Sequence, residues 1–167
     1  MIAFATTDLC DAHESALETG ELQVMTPGLR SFGIRTTFAG PATTLKLFED
    51  NSLLAEMVRT PGAGRVLVVD AGGSLRRAVL GGNLAKAAEA NAWAGLVIAG
   101  AIRDLGEIAA CNLGVLALGV NPRRSAKRGA GERDIAIAVQ GSRVLPGMWI
   151  YVDPDGVVVS ARPLHAA

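Results

Sequence analysis

The sequence predicts a single α/β domain over residues 1–167, built on a mixed sheet or sandwich with antiparallel C-terminal strands. Three observations carry this. The runs RVLVVDAGG (65–73) and GLVIAG (95–100) are continuously apolar and end in glycine, as strands covered on both faces do. Between them NLAKAAEANAW (83–93) has helical spacing. The last third, DIAIAVQGSRVLPGMWIYVDPDGVVVS, alternates and is cut at Gly-Ser, Pro-Gly and Asp-Gly, the pattern of antiparallel hairpins. A chain of 167 residues, half of them hydrophobic, is enough for one packed core.

From the N-terminus, TTDLCDAHESAL (6–17) reads as one opening helix capped by Thr7, with Leu9, Ala12, His13 and Ala16 on one face. LQVM (22–25) is strand-like, and Pro27 and Gly28 turn the chain. IRTTFAG and ATTLKLF alternate and are rich in Thr, so two strands are expected around Gly40 and Pro41. EDNSLLAEMVR is a helix opened by Asp50 or Asn51 that buries Leu53, Leu54, Met57 and Val58. Glu49 and Asp50 read as capping groups there, and a place beside a pocket is their lesser reading. AVL (78–80) is a short strand before Gly81 and Gly82. The helix after it takes Asn83 as its cap and Leu84, Ala87, Ala88 and Ala92 as its stripe. LGEIAAC is a helical turn, LGVLALGV a strand, and the tail ARPLHAA carries no signal.

Sixteen bases balance sixteen acids, which gives no sign of the basic surface that tracks nucleic acid. The segment NPRRSAKRGAGER (121–133) is locally basic and reads as a solvated loop, with an anion or partner contact as the lesser reading. Cys10 and Cys111 are too few for a disulfide framework and lack zinc-site spacing, so they are expected as buried or half-buried free thiols. Acids at the N-terminus and no apolar run of membrane length suggest a soluble cytoplasmic protein. His13 reads as a partly buried structural residue and His165 as a solvated one. Lys46, Lys86 and Lys127 are the only lysines. None is expected in the site, which disfavours Schiff-base chemistry.

The chemistry-bearing residues gather at two strand exits. AGAIRDLGE (99–107) sets Arg103 and Asp104 side by side after a buried strand, with Glu107 three residues on. A guanidinium suits a carboxylate or a developing oxyanion. A lone carboxylate suits Mg²⁺ or Mn²⁺, which leave other positions to water and substrate. Glu107 faces the same side across a helical turn, where it could steer a metal-bound water as base. By themselves these residues also fit an exposed ion pair capping a short helix. LGGNL (80–84) opens the best helix on two glycines, and free amides at a helix start hold anions. It lacks the GxGxxG and GKS/T fingerprints of dinucleotide and triphosphate sites. If the strands feeding Gly81 and Arg103 are neighbours, as consecutive elements tend to be, both features meet at one edge.

The spacing Gly82–x20–Arg103–Asp104–x2–Glu107 resembles the signature of the class II 4-hydroxy-4-methyl-2-oxoglutarate/4-carboxy-4-hydroxy-2-oxoadipate aldolases. The wider pattern resembles the regulator of ribonuclease activity A family, which shares their fold. TTDLCD, FAGPATTLKLFEDNSLL, GRVLVVDAGGSLRRAVLGGNLA, AWAGLVIAGAIRD, ALGVNPRRSAKRGAGERD and DPDGVVVS carry the likeness, which covers almost the whole chain. The resemblance implies a layered α/β sandwich and a homotrimer with the site near a subunit boundary. It implies that Gly81, Gly82, Asn83 and Leu84 present the substrate-binding turn, Arg103 binds the pyruvyl unit and Asp104 ligates a divalent metal, Mg²⁺ or Mn²⁺. The implied reaction is retro-aldol cleavage of 4-hydroxy-4-methyl-2-oxoglutarate to two pyruvates, with oxaloacetate decarboxylation beside it. A non-catalytic inhibitor of ribonuclease E is the alternative. Some regulators lack the aspartate of the pair, and its presence here favours the enzyme. An older methyltransferase label in the family finds no cofactor loop to support it.

Overall fold

A computed structural model of the protein describes residues 3–165. Met1, Ile2 and the last two alanines, at the edges of the N-terminal and tail readings, lie outside the described residues. The first half contains α1 (Thr6–Ala12), α2 (Glu14–Thr19), β1 (Leu22–Val24), β2 (Arg30–Ser31), β3 (Phe38–Lys46) and α3 (Ser52–Met57). The middle contains β4 (Val66–Asp70), β5 (Ala78–Leu80), α4 (Gly82–Ala90), β6 (Gly95–Ile102), α5 (Leu105–Ile108) and β7 (Gly114–Val120). The remainder is β8 (Glu132–Arg133), β9 (Ile137–Val139), β10 (Ser142–Val144), β11 (Trp149–Asp153) and β12 (Gly156–Ser160).

One mixed sheet runs β1-β12-β11-β3-β4-β6-β7-β2, with β5 on β6 and β8 on β3, beside the hairpin β9–β10. Strands β3, β4, β6 and β7 are mutually parallel, whereas β11, β12 and β1 are antiparallel. The halves join along β3. Phe38 to Pro41 pair with β11, and Ala42 to Lys46 pair with β4. The two strands expected around Gly40 and Pro41 are therefore one. Pro41, which lacks an N–H to donate, sits where the strand changes partner, and residues 34–37 are not strand.

Alternation sorts the core into layers. From β4 and β6, Leu67, Val69, Leu96 and Ile98 face α3, α4 and α5, while Val66, Val68 and Val97 face the antiparallel strands. Ile150 and Val152 of β11 and Val157 and Val159 of β12 meet them from the other side. Tyr151 and Val158 point outward, under Leu9 and Leu22. The order is helices, parallel sheet, antiparallel sheet, then α1 and α2. Burial on both faces explains why β4 and β6 are apolar at nearly every position.

The opening helix departs from expectation. It breaks at His13 (φ −130°, ψ 37°), which ends α1 and starts α2. Thr7 does not cap it. Instead the amide and hydroxyl of Thr6 donate to Asp153 at 2.6 and 2.7 Å, tying α1 to β11. The tail also packs: the Leu164 amide donates to the Tyr151 hydroxyl at 2.8 Å, and His165 Nδ1 lies 2.7 Å from the same oxygen. Ala92, expected on the stripe of α4, is exposed beyond the helix end.

Candidate active site

Strand β5 lies parallel to β6 with Leu80 opposite Ile102, and the Arg103 amide donates to the Leu80 carbonyl at 2.9 Å. The two exits, Gly81–Gly82 and Arg103–Asp104, therefore emerge side by side. Asp104 turns the chain in the left-handed conformation (φ 60°, ψ 47°). Its Oδ2 accepts the Gly82 amide at 3.0 Å and lies 3.8 Å from Arg103 Nε. The Arg103 and Asp104 side chains stay 38% and 41% exposed, open to a ligand.

This contact corrects the expected cap of α4. Gly81 is the N-cap and makes no side-chain bond, Asn83 is the second helical residue, and Asp104 satisfies the first amide from another element. The next amides, on Asn83 and Leu84, have no partner inside the helix, and both residues line the cleft. The glycines are required by close approach: a Cβ on Gly81 would come within 2.7 Å of Asp104 Oδ2, and one on Gly82 within 2.7 Å of Glu107 Cβ.

The basic segment 121–133 is not simply solvated. It runs beside β5 and the start of α3. The Ala78 amide donates to Arg123 O at 2.7 Å, Ser125 Oγ donates to Ala78 O at 2.8 Å, and Ala126 exchanges backbone bonds with Glu49 and Asn51. Asp50, buried, caps Ser52 at 2.9 Å and also accepts the Arg128 amide at 2.6 Å. Glu49 instead takes Ser74 Oγ and Arg76 Nε, each at 2.7 Å. The docked segment closes a cleft of about 180 Å³ over the two strand exits. Arg59, Arg103, Arg124 and Lys127 line it against one carboxylate, Asp104, with Asn51 and Ser125 beside them.

Lys127 thus lies in the site although no lysine was expected there. It is exposed and does not occupy the apolar pocket that activates a Schiff-base lysine. Glu107 is placed differently from expectation. It does not line the cleft but lies across Gly82 and pairs with Lys86 at 2.5 Å, and this hydrogen bond pushes the Lys86 ammonium up. Asn51, Arg59, Arg124, Ser125 and Lys127 were missed. Arg124 and Lys127 stood only within the lesser reading of the basic loop. His13 and His165 are remote from the cleft lining. Cys10 and Cys111 are free, half-buried and buried, and burial pushes both thiols up.

Among the described residues no group of three His, Cys, Asp or Glu could hold a metal. The donor set instead fits a hard dication held by one carboxylate, with water and substrate completing its shell. Of the two Asp104 oxygens only Oδ2 has a hydrogen-bond partner.

The fold is an α/β sandwich with a cationic cleft at the carboxyl ends of its parallel strands, where one Arg–Asp pair sits beside free helix amides, the end of such a sheet at which α/β proteins generally place their sites. The chain belongs to the RraA-like family (Aldolase/RraA), whose sequence profile matches residues 6–159. A Burkholderia multivorans (strain ATCC 17616 / 249) protein named "Putative 4-hydroxy-4-methyl-2-oxoglutarate aldolase" is 57% identical over 163 residues, covering 98% of this chain and 99% of its own. One of the same name from Burkholderia mallei (strain SAVP1) is 60% identical over 157 residues, covering 94% and 95%. The RNA-processing inhibitor RraA from Thermus thermophilis superposes with a TM-score of 0.90 at 44% identity, covering 97% of this chain and 95% of that one. A Geobacillus kaustophilus HTA426 structure, titled as an S-adenosylmethionine: 2-dimethylmenaquinone methyltransferase, gives 0.89 at 43% identity, covering 96% and 97%. Among the described residues no helix is long and apolar enough to cross a membrane.

Proposed function

We propose that this protein is a divalent-metal-dependent aldolase that cleaves 4-hydroxy-4-methyl-2-oxoglutarate to two pyruvates, with oxaloacetate decarboxylation as a second activity. The observation that carries this reading is the cleft itself. Arg103, Asp104 and the open amides of α4 converge under three further cations. The names of the Burkholderia relatives support the same reaction.

Asp104 would hold Mg²⁺ or Mn²⁺, which supplies Lewis-acid stabilisation of negative charge on oxygen. The Asn83 and Leu84 amides, at the positive end of α4, bind the carboxylate of the pyruvyl unit. Arg103 faces the adjoining carbonyl oxygen. Arg59, Arg124 and Lys127 hold the distal carboxylate. As the C4 hydroxyl passes its proton to a water molecule in the open cleft, the C3–C4 bond breaks. Its electron pair passes toward the C2 carbonyl, leaving one pyruvate and one pyruvate enolate, which is then protonated at carbon. Arg103 is placed where that enolate charge grows, and such placement is commonly the largest catalytic term. In oxaloacetate the electron pair comes from the bond to the departing carboxylate and reaches the same carbonyl. Glu107, paired with Lys86 over Gly82, holds the turn and is a positioning residue.

A lactate-dehydrogenase-coupled assay tests this. Pyruvate release should need Mg²⁺ or Mn²⁺, stop with a chelator and fall about a hundredfold or more in Asp104→Asn. Asn keeps the left-handed backbone and an acceptor for Gly82. Binding and inhibition of ribonuclease E that is metal-independent and survives this substitution, without pyruvate release, would favour the regulator reading suggested by the Thermus relative.

A further inference from the structure

Asn51, a lining residue of the cleft, has one atom that the aldolase reading leaves unused. Asn51 Oδ1 is buried and is the one such side-chain oxygen or nitrogen among the described residues with no hydrogen-bond partner. Burying an acceptor without a donor is unfavourable, and native proteins seldom do it without a use.

The orientation of the amide is set by its surroundings. Nδ2 donates to the Val79 carbonyl at 3.2 Å, and the reversed amide would put oxygen against oxygen. The backbone is held too, since the Asn51 amide donates to Ala126 O at 3.1 Å. Asn51 occupies the N-cap of α3, where an Asn side chain ordinarily accepts a helix amide. It makes no such bond, and Asp50 takes the Ser52 amide in its place. The Asn51 side chain is thus released from its local role, and the residue lines the cleft with Ser125 and Arg124.

An amide oxygen can only accept. Its ligand must bring a donor, yet carboxylates and a ketone are acceptors, and Arg59, Arg103, Arg124 and Lys127 already suit those. We infer that Asn51 is the specificity-determining residue that accepts the hydroxyl of a 4-hydroxy-2-oxo acid, selecting hydroxylated substrates over plain oxo acids in the same cleft. This rests on the aldolase reading. Asn51 touches the substrate hydroxyl and orients it, while the proton leaves to another acceptor.

Steady-state kinetics on two acids test the assignment, with 4-hydroxy-4-methyl-2-oxoglutarate carrying the hydroxyl and oxaloacetate lacking it. In Asn51→Leu, and in Asn51→Ala should the larger side chain perturb folding, the ratio of kcat/KM for the hydroxy acid to that for oxaloacetate should fall at least about tenfold. Oxaloacetate turnover reports that the cleft is still formed. Equal losses on both acids would mean that Asn51 only holds the 124–127 segment, and would overturn this assignment alone. A wild-type protein that turns over neither acid would overturn the aldolase reading and this assignment with it.

Discussion

Asp104 joins two requirements in one residue. Its left-handed backbone is disfavoured for most L-residues but tolerated by Asp and Asn, and it turns the carboxylate back toward the Gly82 amide. The contact needs bare backbone at Gly81 and Gly82, and Glu107 fills the space over Gly82. A Cβ there would lie 2.6 Å from Glu107 Cδ and 2.7 Å from its Cβ. Gly82→Ala should therefore lower stability in urea by about 1–3 kcal/mol. In a Glu107→Gly background, which removes Cβ as well as Cδ, the same substitution should cost markedly less, and strictly additive effects would show that the two positions do not interact. Gly82, Arg103, Asp104 and Glu107 were legible in the sequence because they are local to strand exits. The role of Glu107 was not, since spacing along a helix cannot show that Lys86 takes its carboxylate.

At the scale of elements, the cleft depends on the 121–129 segment staying docked on β5 and α3. Asp50 is its main anchor, capping α3 and accepting the Arg128 amide, and the Ser52 hydroxyl accepts the Gly129 amide at 2.9 Å. Burial pushes the Asp50 carboxyl up, but bonds from Ser52, Arg128 and Ala130 outweigh it and hold it below the usual range. A depressed folded-state value contributes stability that is present above the unfolded value near 3.9 and is lost as pH falls through the folded one. Asp50→Asn should cost about 2–3 kcal/mol at pH 7 and flatten the acid limb of stability against pH. An unchanged limb would remove Asp50 as its source. Asp153, held low by Thr6 against the upward push of burial, should keep part of that limb in the variant. Much of the element plan could be read in advance: β4 and β6 follow from their continuous apolar runs and α4 from its helical period. The docking of 121–129 could not, because irregular segments have no period and their hydrogen bonds reach across the fold. The unbroken β3 was misread for a related reason. Pro41 normally signals an end, and only the change of partner at that residue lets the strand continue.

Over the whole molecule the charge is zero, yet four cations and one acid face the cleft. Composition hid this, because net charge carries no information about where charges lie. The same end of the sheet exposes Phe48, Leu75, Leu105 and Val120 after or at the ends of β3, β4, β6 and β7. If the chain forms the homotrimer that the family resemblance implies, these exposed apolar side chains are the ones a subunit boundary near the cleft would cover. Light scattering should give three times the chain mass, shifted toward monomer by Leu75→Asp with Val120→Asp. A wild-type monomer would mean that the cleft is complete within one chain. Stabilisation of pyruvate enolate in the cleft can be read from proton NMR of pyruvate in D₂O. Wild-type protein with Mg²⁺ should wash out the methyl protons, and Arg103→Ala and Asp104→Asn should each slow this about a hundredfold or more. Methyl protons that persist with wild-type protein as long as they do in buffer would contradict it.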